Sequence, residues 1–296
     1  MAIENKAINW IANVTLSVFA LACIIPFALL IMASLSSEAS IIRNGYTFFP
    51  EQFSLSAYEY LWTHHLELGR AYGITVFITV VGTAVSLAIT SALAYPLSRR
   101  DMPLRNFWTF LVFFTMLFNG GLVPTYLVYT QLFDIKNTIF GLLLPGLLMS
   151  GFNVLLVRTF FMTSIPPALI EAASIDGAGE IKTFYRIVLP LSLPIMATIG
   201  LFQAINYWND WFNGLIYLTD SRLFGIQTIL TKMITDIQFL TSNSNAAGTG
   251  ASQAISELPS TSVRMAIAAV GVLPILIAYP FFQKYFVKGI TIGAVK

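Results

Sequence analysis

The sequence predicts an all-α integral membrane protein with six transmembrane helices, and three observations carry that prediction. Of its 296 residues, 56% are hydrophobic and only 10% are charged, whereas soluble domains carry about a quarter charged residues. The mean hydropathy is +0.76. Six apolar stretches, each long enough for the roughly 20 residues that cross a bilayer as a helix, lie at about 8–35, 71–98, 106–131, 139–163, 190–219 and 264–287. They form one transmembrane domain.

The first stretch is longer than a signal-peptide core and lacks a small-residue cleavage site, so it is expected to be a retained anchor. Cys23, the single cysteine, lies within it; no intrachain disulfide can form, and the thiol reads as a small packing group. The outer loop 36–70 carries Glu38, Glu51, Glu59 and Glu67 among aromatics, with a short interfacial helix expected near 54–63. His64 and His65 are sequence neighbours that splay apart, and no Cys/His cluster supports a metal site. In the second stretch Thr75, Thr79, Thr83, Ser86 and Thr90 form a small-residue stripe suited to close helix packing.

Orientation follows from the short connection Arg99-Arg100-Asp101-Met102-Pro103-Leu104-Arg105, because basic residues in short loops stay in the cytoplasm. An even number of crossings then places both termini in the cytoplasm, with Trp10 and Trp108 at the inner interface. The third stretch contains Phe118-Asn119-Gly120-Gly121-Leu122-Val123-Pro124. Two glycines and a proline weaken the helical ladder, and the break either lines a cavity or is buried as a packing kink.

The connection 164–190 is the most distinctive part of the chain. Pro166 and Pro167 suit a first helical turn, where a missing donor costs nothing. Glu171 follows in the half of the helix that favours negative charge, and Ala172 and Ala173 give a slim helical surface. Asp176-Gly177 is a turn signal, with Gly177 free to adopt positive φ. In the fifth stretch, at 100° per residue, Gln203, Asn206, Asp210 and Asn213 fall within an arc of about 80°, flanked by Tyr207. Such a stripe faces either a water-filled cavity or protein, since lipid cannot satisfy it. Asp210 is the one acidic residue expected inside a span, which by default suggests function. The loop 220–263 contains the Ser/Asn/Gly-rich run Thr241–Gly250, read as a flexible linker or a partner contact.

Several classes are excluded. No Gly-Lys pair precedes a Ser or Thr, so no phosphate-cradling loop is present. No nucleophile–base arrangement or paired intramembrane carboxylates suggest an enzyme, and no catalytic or metal-binding residue is nominated. A net charge of +2 without a basic run gives no reason to expect nucleic acid.

Glu171, Ala172, Ala173, Asp176, Gly177, Ala178, Ile187, Leu189 and Pro190 together resemble the coupling loop of permease subunits of binding-protein-dependent ABC importers. Phe118–Leu127, Tyr207–Leu218 and the tail Gln283–Lys296 are similar to the carbohydrate class, of the kind that handles acidic oligosaccharides such as alginate- or pectin-derived chains. The resemblance implies a type I importer permease fold in the bacterial inner membrane. It implies that Glu171, Ala172, Ala173, Asp176 and Gly177 couple to an ATPase through the 168–178 helix. Gln203, Asn206, Tyr207, Asp210, Asn213 and Asn119 are then candidates for the saccharide pathway. The implied partners are a second permease, an ATPase dimer, an extracytoplasmic solute-binding protein and membrane lipid. No cofactor is bound by this chain, ATP and magnesium being used by the ATPase. The rival reading is an ion-gradient-driven transporter with Asp210 as its ion site, although such proteins commonly carry internal repeats, which are not evident here.

Overall fold

The computed structural model describes residues 6–243 and 261–294 and is helical throughout, apart from one isolated antiparallel bridge, Ser36 to Phe53. The Ser/Asn/Gly-rich run beyond Asn243 and the side chains of the Gln283–Lys296 tail lie outside the described residues. Among the described residues, two helices are each long and apolar enough to cross a membrane alone: α1 (Lys6–Ser34) and, after α2 (Glu38–Asn44) and α3 (Ser56–Thr63), α4 (His65–Ser98). Three further pairs qualify only when a bent pair is taken as one span. Residues 1–68 with 229–274 and residues 69–228 with 275–296 form two compact units.

In the first unit, α1 is apolar along its length and exposed nearly throughout, Cys23 included, so lipid or another chain must cover it. Cys23 is therefore not packed within its own chain, as its apolar setting had suggested. The bridge beside Ser36 is reinforced by Ser37 N–H to the Gln52 carbonyl (3.0 Å) and Ser54 N–H to the Leu35 carbonyl (2.9 Å). The short helix expected near 54–63 is α3. Each histidine ring pairs locally, His64 Nδ1 with the Tyr60 carbonyl (3.0 Å) and His65 Nδ1 with the Trp62 carbonyl (2.7 Å).

Glu38 opens α2 and also reaches the final helix of the chain. Its carboxylate accepts the N–H groups of Thr261 and Ser262, both at 2.9 Å, at the start of that helix (Thr261–Ala294). A carboxylate there satisfies orphan donors and favours the helix dipole. Burial pushes the Glu38 pKa up, but these hydrogen bonds outweigh it and hold the group below its ordinary value.

The second unit has its core where Leu97, Val154, Val157, Val188 and Ile199 meet. Ala71, Thr75, Ile78, Gly82, Ser86 and Thr90 are buried along one face of α4 at a spacing of three to four residues; of the predicted stripe, Thr75, Ser86 and Thr90 lie on this face, whereas Thr79 and Thr83 are only partly buried. α5 (Arg105–Leu117) ends where expected. The chain breaks over Phe118–Gly121, with Gly121 at φ 85°, and resumes as α6 (Leu122–Leu127) and a π-helical turn, bent by 111°.

The fourth apolar stretch is not one continuous helix. After α7 (Phe140–Leu143) the backbone is irregular until α8 (Gly151–Ser164). Pro145 lacks a donor and Gly146 sits at φ 72°, so neither continues a helix. The fifth stretch is broken as well. α9 (Pro167–Ile175), α10 (Glu180–Thr183) and α11 (Leu189–Leu191) precede α12 (Leu193–Trp208), and Asn209–Trp211 separates α12 from α13 (Phe212–Tyr217). α14 (Ile226–Asn243) follows; the Ile226 N–H donates to Thr75 Oγ1 at 3.0 Å.

Candidate functional site

The 164–190 connection folds as its residues dictate. Pro166 occupies the N-cap of α9 and Pro167 its first turn, where no donor is needed. Three backbone hydrogen bonds close the other end. Asp176 N–H donates to the Ala172 carbonyl (2.9 Å), Gly177 N–H to Ser174 (3.1 Å) and Ala178 N–H to Ala173 (2.9 Å). The last two are the nested bonds of a Schellman turn, which requires a left-handed residue; Gly177 supplies it at φ 74°. Glu171, Ala172, Asp176 and Gly177 are exposed, while Ala173 is buried against its own chain. Ile175 is 86% exposed, an apolar group with no intrachain cover. The axis turns by 78° between α8 and α9 and by 79° between the segment Glu180–Leu191 and α12, so the connection is set off at both ends.

A polar tie holds this connection to α4. Tyr95 Oη donates to the Glu180 carboxylate, Arg99 Nη2 lies 3.4 Å from Glu180 Oε1, and Arg99 Nε lies 3.2 Å from Asp101. Nearby, Arg158 Nε donates to the Leu97 carbonyl at 2.9 Å. Sequence reasoning missed this network. Arg99 counted there only as a topology signal, and nothing local points from Tyr95 or Arg99 to a glutamate some 80 residues further along the chain.

The stripe of the fifth stretch is brought together, though not by one helix. The helical wheel fails at Asn209, yet two stripe residues and the flanking Tyr207 converge on the end of α7 and the irregular segment that follows it. Gln203 Nε2 donates to the Leu147 carbonyl, Tyr207 Oη to Leu143 (2.9 Å) and Asn213 Nδ2 to Pro145 (3.0 Å). All three side chains are buried. The break leaves those carbonyls without helical partners, and buried orphans are costly; the stripe satisfies them. Asn206 is exposed, Asp210 half-buried and Asn119 exposed. Asp210 Oδ1 accepts the Asn213 N–H (3.2 Å) at the start of α13, and Asn119 Oδ1 accepts the Gly121 N–H (2.9 Å). Among the described residues, no group of three His, Cys, Asp or Glu side chains could hold a metal ion.

Long apolar helices, bent helix pairs and an exposed, Schellman-capped helix between two sharp bends are the features of a helical membrane protein. Over residues 84–292 the chain matches the family of binding-protein-dependent transport system inner membrane components, and it belongs to that family. It is 38% identical over 293 residues to the polygalacturonan/rhamnogalacturonan transport system permease protein YtcP of Bacillus subtilis, covering 99% of each chain. It is 41% identical over 273 residues to the protein LplC of the same organism, covering 92% of this chain and 89% of LplC. Among solved structures, a chain of a bacterial ABC transporter involved in the import of the acidic polysaccharide alginate superposes with a TM-score of 0.78 at 30% identity, covering 97% of this chain and 99% of that one.

The chain is thus a sugar or oligosaccharide ABC importer permease subunit of the inner membrane, with the type I permease fold. It is a transport component and not an enzyme. Members of the family work with a second permease, an ATPase and a solute-binding protein, which sets aside the ion-gradient reading of Asp210.

Proposed function

We propose that this chain forms half of the translocation pathway for an acidic oligosaccharide, of the uronate type found in pectin and alginate, and couples it to a separate ATPase through residues 168–178. The observation that carries the coupling reading is the exposed nine-residue helix α9, closed at Gly177 and flanked by bends of 78° and 79°. The uronate class is supported by the substrates named for YtcP and for the alginate importer.

The chain crosses the membrane six times with both termini in the cytoplasm, so the basic 99–105 connection and α9 share the side where ATP is available. A different permease completes the pathway, and a solute-binding protein delivers the saccharide from outside. ATP and magnesium belong to the ATPase; no cofactor is assigned to this chain. Closure of the ATPase dimer moves α9 and rocks the bundle from inward- to outward-facing.

Of the pathway candidates, Asn206, Asp210 and Asn119 retain exposed or half-buried polar groups for the sugar. Gln203, Tyr207 and Asn213 act one layer behind, holding the broken segment in place.

The test is affinity purification of the tagged chain in mild detergent, identification of what elutes, and ATPase assay in proteoliposomes with the co-purified binding protein. Stimulation by oligogalacturonate or oligoalginate, and not by a neutral arabino-oligosaccharide, is expected. Stimulation by the neutral sugar alone would refute the uronate class, and elution without an ATPase would refute coupling.

A further inference from the structure

Two grooves flank α9, each of about 350 Å³, and they differ in charge. One brings Glu171 together with Arg99, Arg100 and Asp101, so its charges can compensate one another. The other, between α9 and the segment that follows, is lined by Ala172, Ala173, Asp176, Lys182 and Arg186. Lys182 and Arg186 are both exposed there, and among the described residues no ion pair engages either of them. They stand four residues apart, on one face of the helical segment, and Asp176 lies at the α9 C-terminus.

Leu169, Ala172, Ala173, Ala178 and Ile187 give this second groove an apolar and mostly slim lining that a partner's backbone can approach, and Ile175 of the same helix α9 is 86% exposed. A contact surface with an apolar centre and a net positive edge, Lys182 and Arg186 against the single carboxylate of Asp176, favours a partner of the opposite sign. We infer that the Lys182–Arg186 groove receives an acidic side chain of the ATPase, so that α9 is gripped by apolar contact on its tip and by an ion pair behind it. The ion pair fixes which way round the helix seats, a matter that apolar contact around a short helix leaves undecided. This inference rests on the coupling reading above.

The assembled, purified complex is treated with a water-soluble carbodiimide, which joins an amine to a carboxylate only at contact distance, and cross-linked peptides are identified by mass spectrometry. The expected result is an amide between Lys182 and an Asp or Glu of the ATPase. It should be absent in Lys182→Arg, which keeps the charge, and retained in Asp176→Asn, which removes the carboxylate that lines the same groove. The double variant Lys182→Glu/Arg186→Glu should lower the ATPase recovered with the permease by about tenfold at low salt, with the amount of inserted permease unchanged. Links from Lys182 only to Asp176 or to the second permease, with ATPase recovery unaffected by charge reversal, would overturn the inference and leave coupling through α9 intact. Wild-type permease that brings down no ATPase would overturn both.

Discussion

The aromatic ring of Tyr207 occupies the space that a side chain on residue 82 would need: a Cβ built on Gly82 would stand 2.6 Å from Cε2 of that ring. Gly82 belongs to the buried face of α4, and the Tyr207 hydroxyl continues past it to the Leu143 carbonyl. One glycine therefore lets a helix, a ring and the broken segment after α7 share one site. Replacing Gly82 by Ala forces the ring away and is expected to lower stability by about 1–3 kcal/mol, as other overpacked cores do. Thermal unfolding of the purified protein in detergent reads this. Adding Tyr207→Ala should recover part of the loss, and strictly additive losses would argue against the shared site.

Gln203 and Asn213 divide from Asn206 and Asp210 in what their loss should do. Gln203→Leu strands the Leu147 carbonyl in a buried place and should cost about 1–3 kcal/mol of stability. Asn206→Ala and Asp210→Asn should leave the unfolding midpoint nearly unchanged while reducing saccharide uptake in proteoliposomes. If uptake per folded molecule fell only in the Gln203 and Asn213 variants, the pathway would run on the other side of the fifth stretch.

Gly177→Val should uncouple transport without preventing insertion. A β-branched residue at φ 74° pays about 1–2 kcal/mol of backbone strain, enough to unwind the Schellman turn at an exposed helix end. Membrane-inserted protein is expected at wild-type amounts, with saccharide-stimulated ATP hydrolysis lost. Normal uptake by this variant would show that the turn is dispensable.

The Glu38 cap carries a pH dependence whose sign is fixed by its depressed pKa. The stabilisation it gives is fully present above the ordinary carboxylate value of 4.5 and is lost as pH falls through the lower folded value. Thermal midpoints of the wild type should therefore drop more steeply on acidification below about pH 5 than those of Glu38→Gln. Parallel curves for the two proteins would mean that the Thr261 and Ser262 hydrogen bonds contribute nothing to stability.

Much of this was legible beforehand, for local reasons. The Gly177 turn, the breaks around Gly121 and the packing face of α4 all follow from residues whose backbone or size preferences act within a few positions. The convergence of Gln203, Tyr207 and Asn213 was half legible. Their polarity announced a buried role, but the partners are backbone carbonyls, freed only because Pro145-Gly146 interrupts the fourth stretch. Carbonyls leave no trace in a sequence. The wheel drawn through Asn213 also assumed an unbroken helix, whereas α12 stops at Trp208. The Tyr95–Glu180–Arg99 tie was invisible for a related reason: its members belong to different connections, and only the folded chain makes them neighbours.

The turn that ends α9 is closed by peptide groups, and among its residues only Gly177 is held to one kind of side chain by its backbone angle. The side chains of the outward positions Glu171, Ala172 and Ile175 are exposed and take no part in those bonds. Under the coupling proposed above, residues on that outer surface can change to suit a different ATPase while a single glycine preserves the shape. The shape of this loop thus depends on one residue and its peptide groups.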